Sequence, residues 1–293
     1  MKTWNRMLKR AAVAGAAVGV AVGAAACSRA DAQAGDESSA AAPQVVTVTA
    51  RDFNFEAPAE IAAGPTTFRL VNAGQALHHV QLVKLDDGKT LQDVYAALQA
   101  GGPPPAWVHW VGGPNAPDPG SGSNATLVLE PGNYALLCFV DIPDHVPHVM
   151  KGMARALRVT APATTPVANA SNGLPAADVV MTLNDYSFTL SKPLTAGRHT
   201  IRVQNAARQP HEVELVRLAP GKTFADLEAW MGSMQGPPPA SAIGGVAGLE
   251  PGVVNNFDVD LAAGDYVLIC FLPDAKDGKP HLMHGMVQTI HVE

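Results

Sequence analysis

The chain has 293 residues, 47% of them hydrophobic and 16% charged, with a net charge of −6. That length accommodates two domains, and the apolar fraction suffices for packed cores. No basic cluster follows the first ten residues, which excludes nucleic acid as a partner. Glycine (27) and proline (24) are plentiful while aromatics make up only 5%, a balance that favours many turns and an all-β chain.

The N-terminus reads as a targeting segment. Lys2, Arg6, Lys9 and Arg10 precede an apolar run over residues 11–26, which is too short and too weak for a membrane span. The run ends in Ala24-Ala25-Ala26-Cys27, so residues 1–27 are expected to be a secretory signal peptide. A cysteine after small residues resembles the bacterial lipobox, with Ala24 where a leucine is usual, and implies lipidation of Cys27. Ordinary cleavage after Ala30 or Ala32 is the alternative. Residues 28–43 then form a disordered tether. The expected location is extracytoplasmic: a bacterial periplasm or cell surface, with a lipid anchor in the membrane.

From residue 44 the chain is a tandem repeat. Asn72 to His78 matches Asn205 to His211, and Val80 to Leu85 matches Val213 to Leu218. Gly102-Pro-Pro-Pro-Ala106 matches Gly236-Pro-Pro-Pro-Ala240, and Gly132-x-Tyr134-x3-Cys138 matches Gly264-x-Tyr266-x3-Cys270. A period of about 133 residues is a domain duplication, far longer than a solenoid unit. The expected domains are 44–160 and 177–293, joined by a Pro-, Ala- and Thr-rich linker over 161–176.

Alternation of apolar and polar residues predicts strands over 45–49, 67–71, 80–85, 125–129, 134–140 and 154–160 in the first unit. In the second it predicts them over 179–183, 200–203, 213–218, 254–259, 266–271 and 287–292. Such short strands with Gly/Pro turns imply an antiparallel sandwich. One helix interrupts each unit. Leu91, Val94, Tyr95 and Leu98 fall at helical spacing, as do Phe224, Leu227, Trp230, Met231 and Met234, a stripe that reads as a packed face. Thr90-x-x-Asp93 and Thr223-x-x-Asp226 cap the helix starts.

Chemistry concentrates where each unit ends. After Cys138 and after Cys270 comes a Pro- and Asp-rich loop that closes on Pro-His-x-Met-x-Gly-Met. Thiolate, imidazole and thioether form a soft ligand set that suits copper better than calcium, magnesium or structural zinc. Equivalent places in two repeats argue against a Cys138–Cys270 disulfide. A further imidazole is available at His78 and at His211, each before a Val-x-Leu-Val strand and about 60 residues before its cysteine. His79 aligns with Glu212 and is a poor ligand candidate, while His109 and His291 lack counterparts and read as surface residues. Met150 and Met283 are expected to pack beneath the loops, although each stands three residues from Met153 or Met286 and leaves the thioether choice open.

These motifs resemble the cupredoxin, or type 1 blue copper, family across both repeats: the Asn-x5-His segments, the Gly-x-Tyr-x3-Cys strands and the His-x4-Met loops. The resemblance implies two tandem cupredoxin-like Greek-key β-sandwiches, each with an inserted short helix. It also implies two copper sites, His78, Cys138, His148 and Met153 in one and His211, Cys270, His281 and Met286 in the other. Asn72 and Asn205 are then either partners near the copper thiolate or turn residues. Nitrite reductases and multicopper oxidases place a histidine beside the type 1 cysteine. Here the flanks are Leu137 and Phe139, and Ile269 and Phe271, and no His-x-His pair occurs. The expectation is electron transfer with a redox protein partner that the sequence does not identify, rather than enzymatic reduction. Copper storage or delivery, or a metal-free interaction module, are the alternatives.

Overall fold

The computed structural model describes residues 42–141, 144–161 and 173–293. The expected signal segment, Cys27, and most of the expected tether and linker lie outside the described residues. In the first half the strands are β1 (Gln44–Arg51), β2 (Asn54–Glu56), β3 (Glu60–Ala62), β4 (Gly64–Asn72), β5 (Gln81–Leu85), β6 (Val108–Gly112), β7 (Gly122–Leu129), β8 (Gly132–Leu137) and β9 (Ala154–Thr160). The second half holds β10 (Val179–Asn184), β11 (Ser187–Leu190), β12 (Gly197–Asn205), β13 (His211–Leu218), β14 (Ala240–Leu249), β15 (Val254–Leu261), β16 (Gly264–Ile269) and β17 (Val287–Val292). Helix α1 (Leu91–Ala100) follows β5, and α2 (Phe224–Ser233) follows β13.

The strands form two sheets that run through both halves, in the orders β11-β10-β12-β15-β7-β4-β1-β2 and β17-β16-β13-β14-β6-β5-β8-β9-β3. Period-two patterning decides which side chains enter the interior. In the first half Phe68 and Leu70 from one sheet meet Leu82 and Leu136 from the other. In the second, Ile201 and Val203 meet Leu215 and Leu268. Each such side chain, fully buried, contributes about 1.5–3 kcal/mol. The architecture is therefore all-β, with a sandwich in each half and one short helix inserted in each.

Two features depart from the sequence expectation. The sandwiches are mixed rather than wholly antiparallel, because β1 pairs parallel with β4, β10 with β12, and β3 with β9. The short β2 and β11 turn back on β1 and β10, so the chain re-enters beside its first strand in the same direction. Strands β6 and β14, absent from the alternation, form the seam between the halves: Leu249 pairs with Val111, and in the other sheet Asn256 pairs with Thr126. Asn124 reinforces the second seam by exchanging two hydrogen bonds with the Asp258 backbone, at 2.7 and 2.9 Å. Each half thus covers edge strands that the other would leave unpaired.

Both helices lie on the outer face of the second sheet. Val94 packs on Val83, Leu85, Ala135 and Leu137, and Leu227 packs on Val216, Leu218, Val267 and Ile269. Each begins with a complete capping box, Thr90 with Asp93 and Thr223 with Asp226. Phe224, Trp230 and Met231 are half-buried against the same cluster, as the stripe predicts.

Candidate metal centres

At the end of β4 the Asn72 side chain closes a turn: its amide donates to the carbonyls of Ala76 (2.9 Å) and Pro117 (3.0 Å), and its oxygen accepts the Gly74 N–H (3.1 Å). Asn205 does the same with Gln209 (2.9 Å), Leu249 (2.7 Å) and the Ala207 N–H (2.9 Å). These asparagines therefore act through turn chemistry. The turns deliver His78 and His211 to the sandwich interior, where both are fully buried.

Cys138 follows β8 and Cys270 follows β16, and both are buried free thiols. The loops after them return through one 3-10 turn each, His148–Lys151 and His281–His284. The Cys138 N–H donates to the Met153 carbonyl (3.2 Å) and its carbonyl accepts the Val149 N–H (2.7 Å). In the second half Cys270 bonds Met286 (3.2 Å) and Leu282 (2.9 Å) in the same way. Each loop is thereby clamped onto its own cysteine. Gly152 and Gly285, at φ +100° and +91°, end the turns in a conformation that disfavours any side chain.

The clamp brings the sequence-predicted residues together. His78, Cys138 and His148 place one ligand atom each within 4.8 Å of one another, and so do His211, Cys270 and His281. In the first group the two histidine Nδ1 atoms stand 3.1 Å apart, and the Cys138 Sγ lies 3.6 Å from the His148 Nδ1. In the second, the Cys270 Sγ lies 3.3 Å from the His281 Nδ1 and 3.9 Å from the His211 Nδ1. Metal–imidazole bonds of about 2.0–2.1 Å and metal–thiolate bonds of about 2.3 Å, the zinc values, would put trigonal donors roughly 3.5–3.8 Å apart, and the separations here fall within about 0.4 Å of that range. The donor sets therefore fit a soft metal, and two nitrogens with one thiolate suit copper. Met153 and Met286 are 0% exposed within the same clusters as the cysteines, whereas Met150 and Met283 are 44% and 69% exposed. The expectation that Met150 and Met283 pack beneath the loops is thus incorrect. Residue three of each 3-10 turn faces outward while residues one and six face in.

Two aspartates that the sequence reading missed orient the first histidines. Asp52 accepts at 2.9 Å from the His78 Nε2 side, and Asp185 at 3.0 Å from that of His211. A carboxylate there fixes the ring so that Nδ1 faces the ligand cluster. Burial alone would raise the Asp52 carboxyl, but His78 and the N–H groups of Gln75 and Ala76 outweigh it and hold it low. The His211 hydrogen bond holds Asp185 low. Burial in turn depresses His78 and His211, which keeps both imidazoles neutral, as metal ligation requires. The residue after each aspartate, Phe53 or Tyr186, adopts a left-handed backbone at φ 63° and sets its ring edge on the second histidine, 5.0 Å from His148 or 5.6 Å from His281. A bulky residue held at positive φ marks a position that its surroundings over-determine. The signal was legible as Asp-aromatic-x-Phe after the first strand of each half.

Burial pushes the Cys138 thiol up to about 12 and the Cys270 thiol higher still. Neither is a free nucleophile at neutral pH, and a bound metal would displace the proton. Asp274, Asp277 and His284 also come together. The Asp274 carboxylate there is already occupied by the Tyr186 hydroxyl (2.5 Å), the Gln209 amide (3.1 Å) and the Lys276 N–H (2.8 Å). His291 is exposed and His109 half-buried, and both are paired with carboxylates, in line with a surface role.

No family model matches the chain, and no curated protein matches it. Among solved structures it is similar to a reduced auracyanin from Roseiflexus castenholzii, at 19% identity and a TM-score of 0.29, over 41% of this chain and 99% of that one. Auracyanin A, a blue copper protein of Chloroflexus aurantiacus, is similar at 21% identity and a TM-score of 0.29, over 41% and 100%. A blue copper oxidase from Nitrosomonas europaea is similar over 86% of both chains, at 16% identity and a TM-score of 0.27. These neighbours include auracyanins and an oxidase, and at such values they bear on neither site nor activity. The functional reading therefore starts from the chain's own layout: facing sheets, a cysteine after the penultimate strand of each half, and a His-x4-Met loop leading into the last one.

Proposed function

We propose that this chain is an extracytoplasmic carrier of single electrons with two type 1-like copper centres. His78, Cys138, His148 and Met153 would hold one ion, and His211, Cys270, His281 and Met286 the other. The observation that carries the reading is the pair of closed His-Cys-His clusters, each with its ligand nitrogens and sulfur buried and prearranged. Copper bound there supplies a one-electron couple.

The residues do the rest. Asp52 and Asp185 hold the first imidazoles, and the Cys–Met backbone clamps hold the loops, so the ligand geometry is set before the metal arrives and little need rearrange when an electron moves. The buried clusters leave no open position for a substrate. Leu137 and Phe139, and Ile269 and Phe271, flank the cysteines with no histidine that could wire them to a further copper, which favours a carrier over a reductase or oxidase. Within this reading, residues 44–160 and 177–293 are the two domains of a duplicated unit. Cys27 anchors the chain to a membrane by a lipid, and the partner is a redox protein. No helix of the described residues is long and apolar enough to cross a membrane.

Adding Cu(II) to metal-free protein tests the reading. An intense blue band that ascorbate bleaches reversibly is expected. Copper uptake without that band, or no uptake, would contradict it. Loss of the protein from the membrane fraction in Cys27→Ala tests the anchor.

A further inference from the structure

The residue after the first histidine differs between the halves: it is His79 in one and Glu212 in the other. Both reach the residue after the cysteine. The Phe139 N–H donates to the His79 Nε2 at 2.9 Å, and the Phe271 N–H donates to the Glu212 Oε1 at 3.0 Å. Between them lies Asn115, in the segment that crosses from one sandwich to the other, tied to the second half by its N–H on the Gly245 carbonyl (3.1 Å). The Asn115 Oδ1 stands 3.3 Å from the His79 Nδ1, and its Nδ2 donates to the Glu212 Oε2 at 3.4 Å. A continuous path thus runs Cys138–Phe139–His79–Asn115–Glu212–Phe271–Cys270.

The donors and acceptors on this path have a single consistent assignment. A backbone N–H can only donate, so the His79 Nε2 accepts and its Nδ1 carries the hydrogen toward Asn115. The Ala116 N–H donates to the same Asn115 oxygen (3.0 Å), and the amide nitrogen is shared with the Val213 carbonyl (3.2 Å), which fixes the amide orientation. All three side chains are buried, His79 at 7%, Asn115 at 3% and Glu212 at 4% exposed. Three polar groups at a seam between two apolar cores cost desolvation that well-packed apolar side chains would avoid. Stability therefore does not explain them, and their position between two cysteines suggests what does.

We propose that the His79–Asn115–Glu212 bridge carries a single electron between the two centres, so that the chain works as a relay rather than as two independent carriers. The proposal rests on the copper reading above. No bond would form or break: with copper bound, one centre would give up the electron that the other takes, Cu(I) and Cu(II) exchanging places, and no proton would leave the bridge. The carboxylates set the direction. Asp185 and Asp274 both lie beside the second centre, the latter 3.9 Å from the His281 Nε2, while Asp52 stands at the first. Extra negative charge favours the higher oxidation state, so the second centre donates to the first.

The experiment injects one electron per copper-loaded molecule by flash photoreduction and follows its redistribution between the two blue centres. Cys138→Ser and Cys270→Ser spectra identify each band. A redistribution rate independent of protein concentration is expected in the parent. In Asn115→Leu, which breaks both central hydrogen bonds, it should slow severalfold, with both bands and potentials unchanged. Asn115→Asp keeps the acceptor toward His79 and loses the donor toward Glu212; it serves if the leucine variant does not fold, and should slow the rate by a smaller factor. In the metal-free parent, nitrogen NMR should show His79 as the Nδ1–H tautomer. An unchanged rate in a folded Asn115 variant, or a different His79 tautomer, overturns the bridge while leaving the copper reading intact. Absence of any blue band defeats the copper reading itself.

Discussion

The two centres share their ligand types, their loop clamps and an aspartate behind the first histidine, yet their surroundings differ in charge. Around the first, Asp52 faces His78 and the aromatic neighbour is Phe53, which carries no polar group. Around the second, Tyr186 replaces Phe53 and its hydroxyl draws in Asp274, whose carboxylate that bond and the Lys276 N–H hold well below the usual range. The acid Glu212 stands where the first half has His79, although the backbone N–H of each faces its own cysteine, that of Glu212 at 3.5 Å from the Cys270 Sγ. On the proposed reading the two halves keep the groups that would hold a metal and differ in those that would tune it, the division expected if ligand geometry is fixed and redox potential is adjusted from the surroundings.

Removing a thiolate gives the largest expected effect. Cys138→Ser should abolish the first blue band and leave the second, and Cys270→Ser the reverse; loss of both bands from one substitution would mean that the centres are not separate. Next comes Glu212. Burial, followed by opposing bonds from Phe271 and Asn115, leaves its carboxyl pushed up to about 7. Its folded value lies above the ordinary one, so its burial is tolerated at low pH and penalised as pH rises through the interval from roughly 4.3 to 7. The stability of metal-free Glu212→Gln relative to the parent should therefore grow from pH 5 to pH 8, by on the order of 3 kcal/mol in urea unfolding. An equal difference at both pH values would place the carboxylate in contact with water. A smaller effect is expected from Asp274→Asn, which should raise the potential of the second centre toward that of the first and leave the first unmoved, as read by redox titration. The smallest concerns the helices: Thr90→Ala and Thr223→Ala should each cost about 1 kcal/mol and by similar amounts, because the two capping boxes are alike.

The strands with clean alternation and the two ligand loops were legible because burial on one face imposes period two and because the motifs recur. Strands β6 and β14 were not, since their place is set by the other half. Residues 240–249 are largely Ala and Gly, and a Cβ at Gly245 would stand 2.2 Å from the Val213 carbonyl oxygen, just as one at Gly113 would from that of Val80. Such glycines record a close backbone approach that has no hydrophobic pattern. Asp52 and Asp185 lie in hairpin turns, where an aspartate is ordinary, and only their shared aromatic neighbour distinguishes them. Asn115 has no counterpart in the second half, so repetition could not reveal it.

Copper stoichiometry combined with a redox titration tests the central claim most directly. The account predicts two copper ions per chain, both blue, titrating at two separate potentials with the Cys270 centre the lower. A single equivalent of copper, or two ions without the blue band, would contradict it.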